Sequence, residues 1–377
     1  MLALFASSPS YVNHFPAHDN PYNISLPADR DASFAFLLAD FGTDTILPGH
    51  TPCCQLDVAN AMRAKRAELE AQGKSLLFVA AGGDNFYYRG LPAADAEGKE
   101  RWARWAGVYY NLTDVAWLGV LGNHDLGCND PYATCPAKAP TPTTVGGQPY
   151  ACHQLDVDKG GHRAGAAHAA HFHVPDFNWV HRLDALNLEV VGLDTNHRAA
   201  AGIHRIQTDG GCGATAATCG QSEAALQARL ADVAGSGEAL LNATAARGGR
   251  NASAVRRVLL LQHYPHECAA LVAQFVANAP ERADRLDVRC AFGHVHSTTC
   301  EVAAGGGGGD CRDVMVGGGG GCCRNQVVEK GKAGFGVLHF VEGGGMTVEQ
   351  VTTGEHCVVM PVAEAGGRMS EANERVL

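Results

Sequence analysis

Short apolar runs that stop abruptly at polar residues alternate along this chain with stretches of helical periodicity. FAFLLAD from Phe34 reads as a strand, and residues 57 to 72, DVANAMRAKRAELEAQ, read as an amphipathic helix. LLFVA from Leu76 is the next strand, a helix is expected from Glu97 to Tyr110, and AWLGVL from Ala116 is a third strand. After a Pro/Thr/Gly-rich insertion at 129 to 150 come LEVVGL from Leu188, a helix near Ser222 to Leu241, VLLL from Val258, a helix near Glu267 to Asn278, and VRCAF from Val288. The last part adds DVMV from Asp313, GVLHFV from Gly336 and MTVEQV from Met346.

Short apolar strands separated by helices predict an α/β fold with sheets covered on their faces. The later strands follow one another closely with Gly-rich turns, which suggests a meander and therefore mixed sheets. The glycine tracts at 305 to 309 and 317 to 321 are expected to be hairpin loops. No repeat of fixed period is present. Gly73-Lys74-Ser75 imitates the end of a phosphate-binding loop, but Glu68 stands where that motif needs glycine, and the strand follows rather than precedes it.

The strand ends change the picture. The first strand runs into Asp40-Phe41-Gly42, the second into Gly83-Asp84-Asn85-Phe86-Tyr87, and the third into Gly122-Asn123-His124-Asp125. VLLL runs into Gln262-His263-Tyr264-Pro265, and VRCAF into Gly293-His294-Val295-His296. Each tripeptide alone is ordinary turn chemistry. Together they place Asp, Asn or His at the carboxyl end of five strands, the edge at which open α/β sheets bind ligands. Two Asp, one Asn and three His in that order suit N and O coordination of two metal ions.

Composition sets the surroundings. In 377 residues, 46% are hydrophobic and the formal charge is −10, so a sizeable core is available and a nucleic-acid partner is disfavoured. An anionic substrate would need a local positive source. Fourteen cysteines, an even number, and four sequons at Asn23, Asn111, Asn242 and Asn251 favour a secreted or luminal glycoprotein with structural disulfides. Cysteine pairs at zinc-finger spacing are absent. The opening MLALFASSPS is a poor match to a signal peptide unless already trimmed, and neither a membrane span nor a lipid-anchor tail is expected.

In this order, D-x-G, G-D-x-x-Y, G-N-H-D, His before Tyr-Pro, and G-H-x-H resemble the purple acid phosphatases of the calcineurin-like metallophosphoesterase superfamily. GDNFYY, GNHD and HYP are most similar to the small, mammalian tartrate-resistant type. The resemblance spans roughly residues 33 to 353. It implies two packed mixed β-sheets flanked by helices, with a dinuclear metal site at one end. It divides the chain into a lead-in at 1–32, a catalytic domain at 33–357 and a tail at 358–377.

In other members of the superfamily the first motif carries a metal-binding histidine where this chain has Gly42. The resemblance assigns the missing ligand to Tyr87, with Tyr88 the competitor on the wrong spacing. One metal would then be held by Asp40, Asp84, Tyr87 and His296, and the other by Asp84 as bridge with Asn123, His263 and His294. The anionic oxygen donors favour Fe(III) at the first site, and the second suits a divalent Fe, Zn or Mn. Three negative ligands against five positive charges leave a local surplus of two, which the acidic chain otherwise lacks. The activity implied is hydrolysis of phosphate monoesters at acidic pH, with a metal-bound hydroxide as nucleophile and His124 as general acid. Asp125 is a candidate to orient His124. Two alternatives remain: a phosphodiesterase or nucleotide hydrolase on the same fold, and a non-catalytic glycoprotein retaining the scaffold.

The chain departs from the family pattern at Gln262, which stands where glycine is usual before the fourth-motif histidine, and at Val295, which replaces a frequent Asp. The segment from Pro131 to His173 is rebuilt and carries His153, His162, His168, His171 and His173, to which no site role is assigned.

Overall fold

The computed structural model describes residue 24 and residues 32–42, 53–87, 90–91, 96–126, 154–155, 171–196, 223–247, 255–264, 268–278, 284–302, 311–320, 332–341 and 344–353. Twelve strands among them form two six-stranded sheets. The first contains β1 (Ser33–Leu38), β2 (Ser75–Ala81), β3 (Ala116–Gly119), β4 (Phe172–His173), β11 (Gly334–Phe340) and β12 (Met346–Thr352), in the order β12-β11-β1-β2-β3-β4. The second contains β5 (Trp179–Leu183), β6 (Leu188–Leu193), β7 (Arg256–Gln262), β8 (Leu286–Phe292), β9 (Thr298–Val302) and β10 (Cys311–Val316), in the order β5-β6-β7-β8-β10-β9. The helices are α1 (Cys53–Ala71), α2 (Ala96–Val108), a one-turn α3 (Asn123–Leu126), α4 (Glu223–Ala246) and α5 (Cys268–Asn278).

The period-2 alternation of the strands makes three apolar layers from one sequence pattern. Ala35 and Leu37 of β1 and Leu259 and Leu261 of β7 face each other's sheets in a shared core with Phe78, Trp179 and Val190. Phe34, Phe36 and Leu38 turn the other way, towards α1 and α2, and join Val58, Met62, Trp102 and Trp105. Val258 and Leu260 turn outwards on the second sheet, towards Leu240, Leu241, Leu271 and Phe275 of α4 and α5. The chain is therefore a pair of mixed sheets packed face to face, with helices on the outer faces.

Helix α1 begins four residues before the expected start, and its end is set by Gly73. At φ +80° that glycine lets the amide of Lys74 reach back to the Leu69 carbonyl (3.0 Å). The imitation phosphate loop is thus a helix cap leading into β2. Strands β5 and β9 do not stand out in the sequence, and β4 does so only as a strand position between His171 and His173. They are short or polar, and β5 (WVHRL) buries its histidine instead of showing clean alternation.

The expected terminal meander is divided between sheets. β9 and β10 pair antiparallel in the second sheet, and β11 and β12 pair antiparallel in the first. Gly317 to Gly320 carry the chain from one sheet to the other, and Gly319 N–H bonds the Ala39 carbonyl at 3.1 Å. That tract is a crossover rather than a hairpin loop. The tract at 305 to 309, the lead-in at 1–32 apart from residues 24 and 32, and the tail beyond 353 lie outside the described residues.

Disulfides join Cys268 to Cys290 and Cys300 to Cys311, pinning α5 to β8 and β9 to β10. No helix among the described residues is long and apolar enough to cross a membrane.

Candidate metal centre

The strands that carry the polar termini are parallel within their sheets: β1, β2 and β3 in one, β6, β7 and β8 in the other. The carboxyl ends within each sheet therefore lie together, and His263 Nδ1 beyond β7, 3.0 Å from the Gly82 carbonyl beyond β2, puts the two sets at one edge of the sandwich. The turns there are tied to each other by backbone bonds, Asp40 N–H to Gly83 O (3.0 Å), Gly42 N–H to Asp84 O (3.1 Å) and Gly293 N–H to His263 O (3.0 Å). Asp40, Asp84 and His294 take φ values of 53°, 51° and 69°. Non-glycine residues rarely hold this left-handed conformation, and its cost is met at three expected ligands by the surrounding bonds.

The phenol of Tyr87 lies 3.1 Å from Asp40 Oδ1, 3.0 Å from Asp84 Oδ2 and 3.0 Å from His296 Nε2. His296 Nε2 is also 3.4 Å from Asp40 Oδ1. A phenol has one proton, yet it faces two carboxylate oxygens that only accept. One of those contacts sets lone pair against lone pair, an arrangement that a cation relieves.

The second group repeats the logic. His263 Nδ1 is 3.0 Å from the Gly82 carbonyl and must donate to it. In the neutral imidazole this leaves the Nε2 lone pair aimed at Asn123 Oδ1 (2.9 Å) and Asp84 Oδ1 (3.4 Å), both acceptors. His294 Nδ1 reaches the same Asn123 oxygen at 3.2 Å, and its backbone N–H donates to Asp40 Oδ2 at 2.8 Å. A backbone carbonyl fixing the far nitrogen of a histidine is the usual support of a metal-ligating imidazole. Asp40, Asp84 and His263 bring one ligand atom each within 4.8 Å of one another. All seven residues expected as ligands fall in one cluster, with Asp84 between the two groups.

The buried charges depend on each other. Burial opposes ionisation of Asp84, but His263, His124 and His294 hold its carboxyl below the ordinary value. Burial likewise opposes charging of His263 and His296, yet the carboxylates of Asp84 and Asp40 raise both. His294 is driven down to about 3 by burial and by His263, and it stays neutral. The donor set thus fits metal ions: three anionic oxygens are available on one side, and a neutral amide with imidazoles on the other.

Two glycines are required by close approach. A Cβ on Gly122 would lie 2.1 Å from Asp84 Oδ1, and one on Gly42 would lie 2.6 Å from the Tyr87 nitrogen. The loop after β2 sends successive side chains opposite ways. Phe86 enters the aromatic cluster, 4.7 Å from Trp102 between ring centroids, while Tyr87 turns into the site. Arg101 of α2 holds the loop from behind through the carbonyls of Tyr87 (3.3 Å) and Gly90. Tyr88 lies outside the described residues.

His124 is buried at the start of α3. Its amide donates to Asp84 Oδ1 at 2.9 Å, and its ring lies 4.6 Å from that of Tyr87. Asp125 does something other than the expected orientation of His124. Its carboxylate accepts from the amides of Gly122 (2.8 Å), Asn85 (3.0 Å) and Phe86 (3.0 Å) and from Gln154 Nε2 (3.0 Å). It clasps the loop after β2 to the loop after β3. Burial and the Asp84 charge push its pKa up to about 7, against those donors.

A sixth strand end went unread in the sequence. β6 closes on Asp194-Thr195-Asn196, where Thr195 Oγ1 accepts from Tyr264 N–H (2.9 Å) and Asn196 Nδ2 donates to the Leu121 carbonyl (3.1 Å). These residues fasten the His263 loop to the loop before Asn123, and the polar end of a parallel strand was the available signal. Gln262 is fully buried, and neither of its amide atoms has a hydrogen-bond partner among the described residues. Val295 stands 48% exposed between the two half-buried histidines, so the cluster opens to solvent there. His171 and His173 flank Phe172 on β4, at the far edge of the first sheet; His153, His162 and His168 lie outside the described residues.

No protein-family model matches the chain, and a search of curated proteins finds no match. Among solved structures the chain is similar to GAP50, the anchor in the inner membrane complex of Plasmodium, with 12% identity, a TM-score of 0.41, and 85% of this chain and 84% of that one covered. So loose a likeness carries no argument about function.

Proposed function

We propose that the chain is a metal-dependent acid phosphatase of the purple type, acting on phosphate monoesters, and that it travels the secretory pathway. The observation that carries the reading is the division of the buried donors into two groups sharing Asp84. Asp40, Tyr87 and His296 stand on one side, and Asn123, His263 and His294 on the other. The paired cysteines support the compartment.

Fe(III) on the tyrosine side and a divalent Fe, Zn or Mn on the other would supply the positive charge that holds a phosphate ester and acidifies an attacking water. The remaining chemistry belongs to the chain. Gly82 fixes the tautomer of His263, so its Nε2 lone pair faces the site. His124 is placed by its amide bond to Asp84 and by the ring of Tyr87, and its role is to protonate the departing alkoxide. Asp125 and Asn196 keep the three loops in register without touching substrate. The exposed edge at Val295 is the side from which an ester reaches the cluster.

The test is metal content, visible spectrum and hydrolysis of a panel of aryl mono- and diesters on one purified sample. Two metals per chain, with preference for monoesters in acid, would support the reading. Preference for diesters would keep the fold and change the substrate, and a chain that binds no metal would overturn the reading.

A further inference from the structure

We propose that Asn111 carries an N-linked glycan whose innermost sugar lies in the groove between α1 and the turn that follows α2. The inference rests on the secretory part of the proposed function. It selects one of the two sequons that lie among the described residues. Asn23 and Asn251 lie outside the described residues. Asn242 sits inside α4, where its Oδ1 accepts from Gln274 Nε2 of α5 at 2.6 Å. The hydroxyl of that sequon is in the core: Thr244 is fully buried, with Oγ1 bonded to Arg247 at 2.9 Å.

Asn111 is the opposite case. It is exposed in the turn before β3, at φ 58°, a conformation asparagine tolerates better than most residues. The turn is held without using its side chain. Leu112 N–H bonds the Tyr109 carbonyl (2.9 Å), Leu112 is fully buried, and Arg66 Nη1 donates to the Asn111 carbonyl (2.6 Å). The side-chain amide makes no hydrogen bond among the described residues, so its nitrogen is free for a covalent bond. Thr113, the third sequon residue, is only half-buried. The transfer joins Asn111 Nδ2 to the anomeric carbon of a lipid-linked oligosaccharide, with the lipid diphosphate as leaving group and one amide proton released.

Something waits beside the amide for a sugar to rest on. A polar groove of about 530 Å³ opens there, with Arg63, Arg66 and Glu70 on the α1 wall and Asn111, Thr113 and Asp114 on the other. That size lies within the range of small-ligand sites. Arg66 is braced by Asp114 (2.6 Å and 2.8 Å) and Glu70 (2.7 Å), so the wall is already ordered. Tyr110, 52% exposed, lies over the Arg63 guanidinium at 4.0 Å and offers an amphipathic aromatic surface next to Asn111.

The experiment uses the full chain secreted from eukaryotic cells, with amidase release of glycans in heavy-oxygen water and peptide mass mapping. The peptide holding Asn111 should carry the label. Release from native protein should be about tenfold slower than from denatured protein, the factor that about 1.4 kcal/mol of seating gives. Tyr110→Ala should keep the glycan and speed its native release. Oxidised Cys268–Cys290 and Cys300–Cys311 with a bare Asn111 would overturn this inference alone. Reduced cysteines with a bare Asn111 would overturn the secretory reading with it. A glycan released equally fast from native and denatured protein would overturn the seat in the groove.

Discussion

A Cβ atom on residue 42 would stand 2.6 Å from the backbone nitrogen of Tyr87 and 2.8 Å from the Phe86 backbone. Real Cβ atoms do not approach backbone so closely, so the glycine at 42 and the tyrosine at 87 are one structural choice. Gly42→Ala is therefore expected to displace the Tyr87 loop and lower metal content, although alanine adds only a methyl group. Gly42→His combined with Tyr87→Phe should fail to recover a bound metal. Metal analysis of the purified variants checks both, and full loading of Gly42→Ala would show that the loop yields without cost.

Tyr87→Phe tests the phenol itself. The ring is fully buried and Phe keeps its shape, so the fold should persist while one oxygen donor is lost. If Tyr87 binds Fe(III), the wild-type protein should show a violet charge-transfer band that is absent in the variant. A band unchanged by the substitution would assign the colour elsewhere.

Asp125 separates loop fastening from proton delivery. Replacing it with Asn turns an acceptor for four N–H groups into one that must present a donor to some of them, at a cost of about 1–3 kcal/mol. Asp125→Asn should thus lower the thermal midpoint and loosen metal binding. Its sensitivity to leaving-group pKa should remain that of wild type. His124→Ala should do the reverse, losing most activity on esters with poor leaving groups and little on good ones. Leaving-group series on both variants decide between the roles.

The strands that support the site were legible because burial on both faces writes them as unbroken apolar runs. FAFLLA, LLFVAA and VLLL have no polar interruption, and Asp40, Asp84 and His263, within three residues of their ends, belong to the site. Strand β5 was illegible because His181 is buried among apolar neighbours, and β4 because two residues give no period. The seven-donor cluster was legible through motif order. The role of Asp125 was not, because its partners are backbone amides 39 and 40 positions away and at Gly122, which no side-chain pattern records. The division of the last four strands between two sheets was likewise hidden, since a glycine run between close strands reads as a hairpin loop and Gly317 to Gly320 instead lead from one sheet to the other.

His181, outside the seven-donor set, supplies a pH dependence of its own. It lies on the face of β5 that sends Trp179 and Leu183 into the core between the sheets, and it is 1% exposed. Burial lowers its pKa from 6.5 to about 4. Between those values the unfolded chain binds the proton and the folded chain does not. The stabilisation is therefore complete above the unfolded value and is lost as pH falls towards the folded one. A drop of that size is worth roughly 3 kcal/mol at its limit. Urea unfolding at about pH 7 and about pH 4.5 should show His181→Leu losing less stability than wild type across the interval, by most of that amount. Equal losses would place the acid sensitivity in other groups. The outcome bears on function directly, because an enzyme proposed to work in acid would carry in His181 a residue that limits how acidic its surroundings can become.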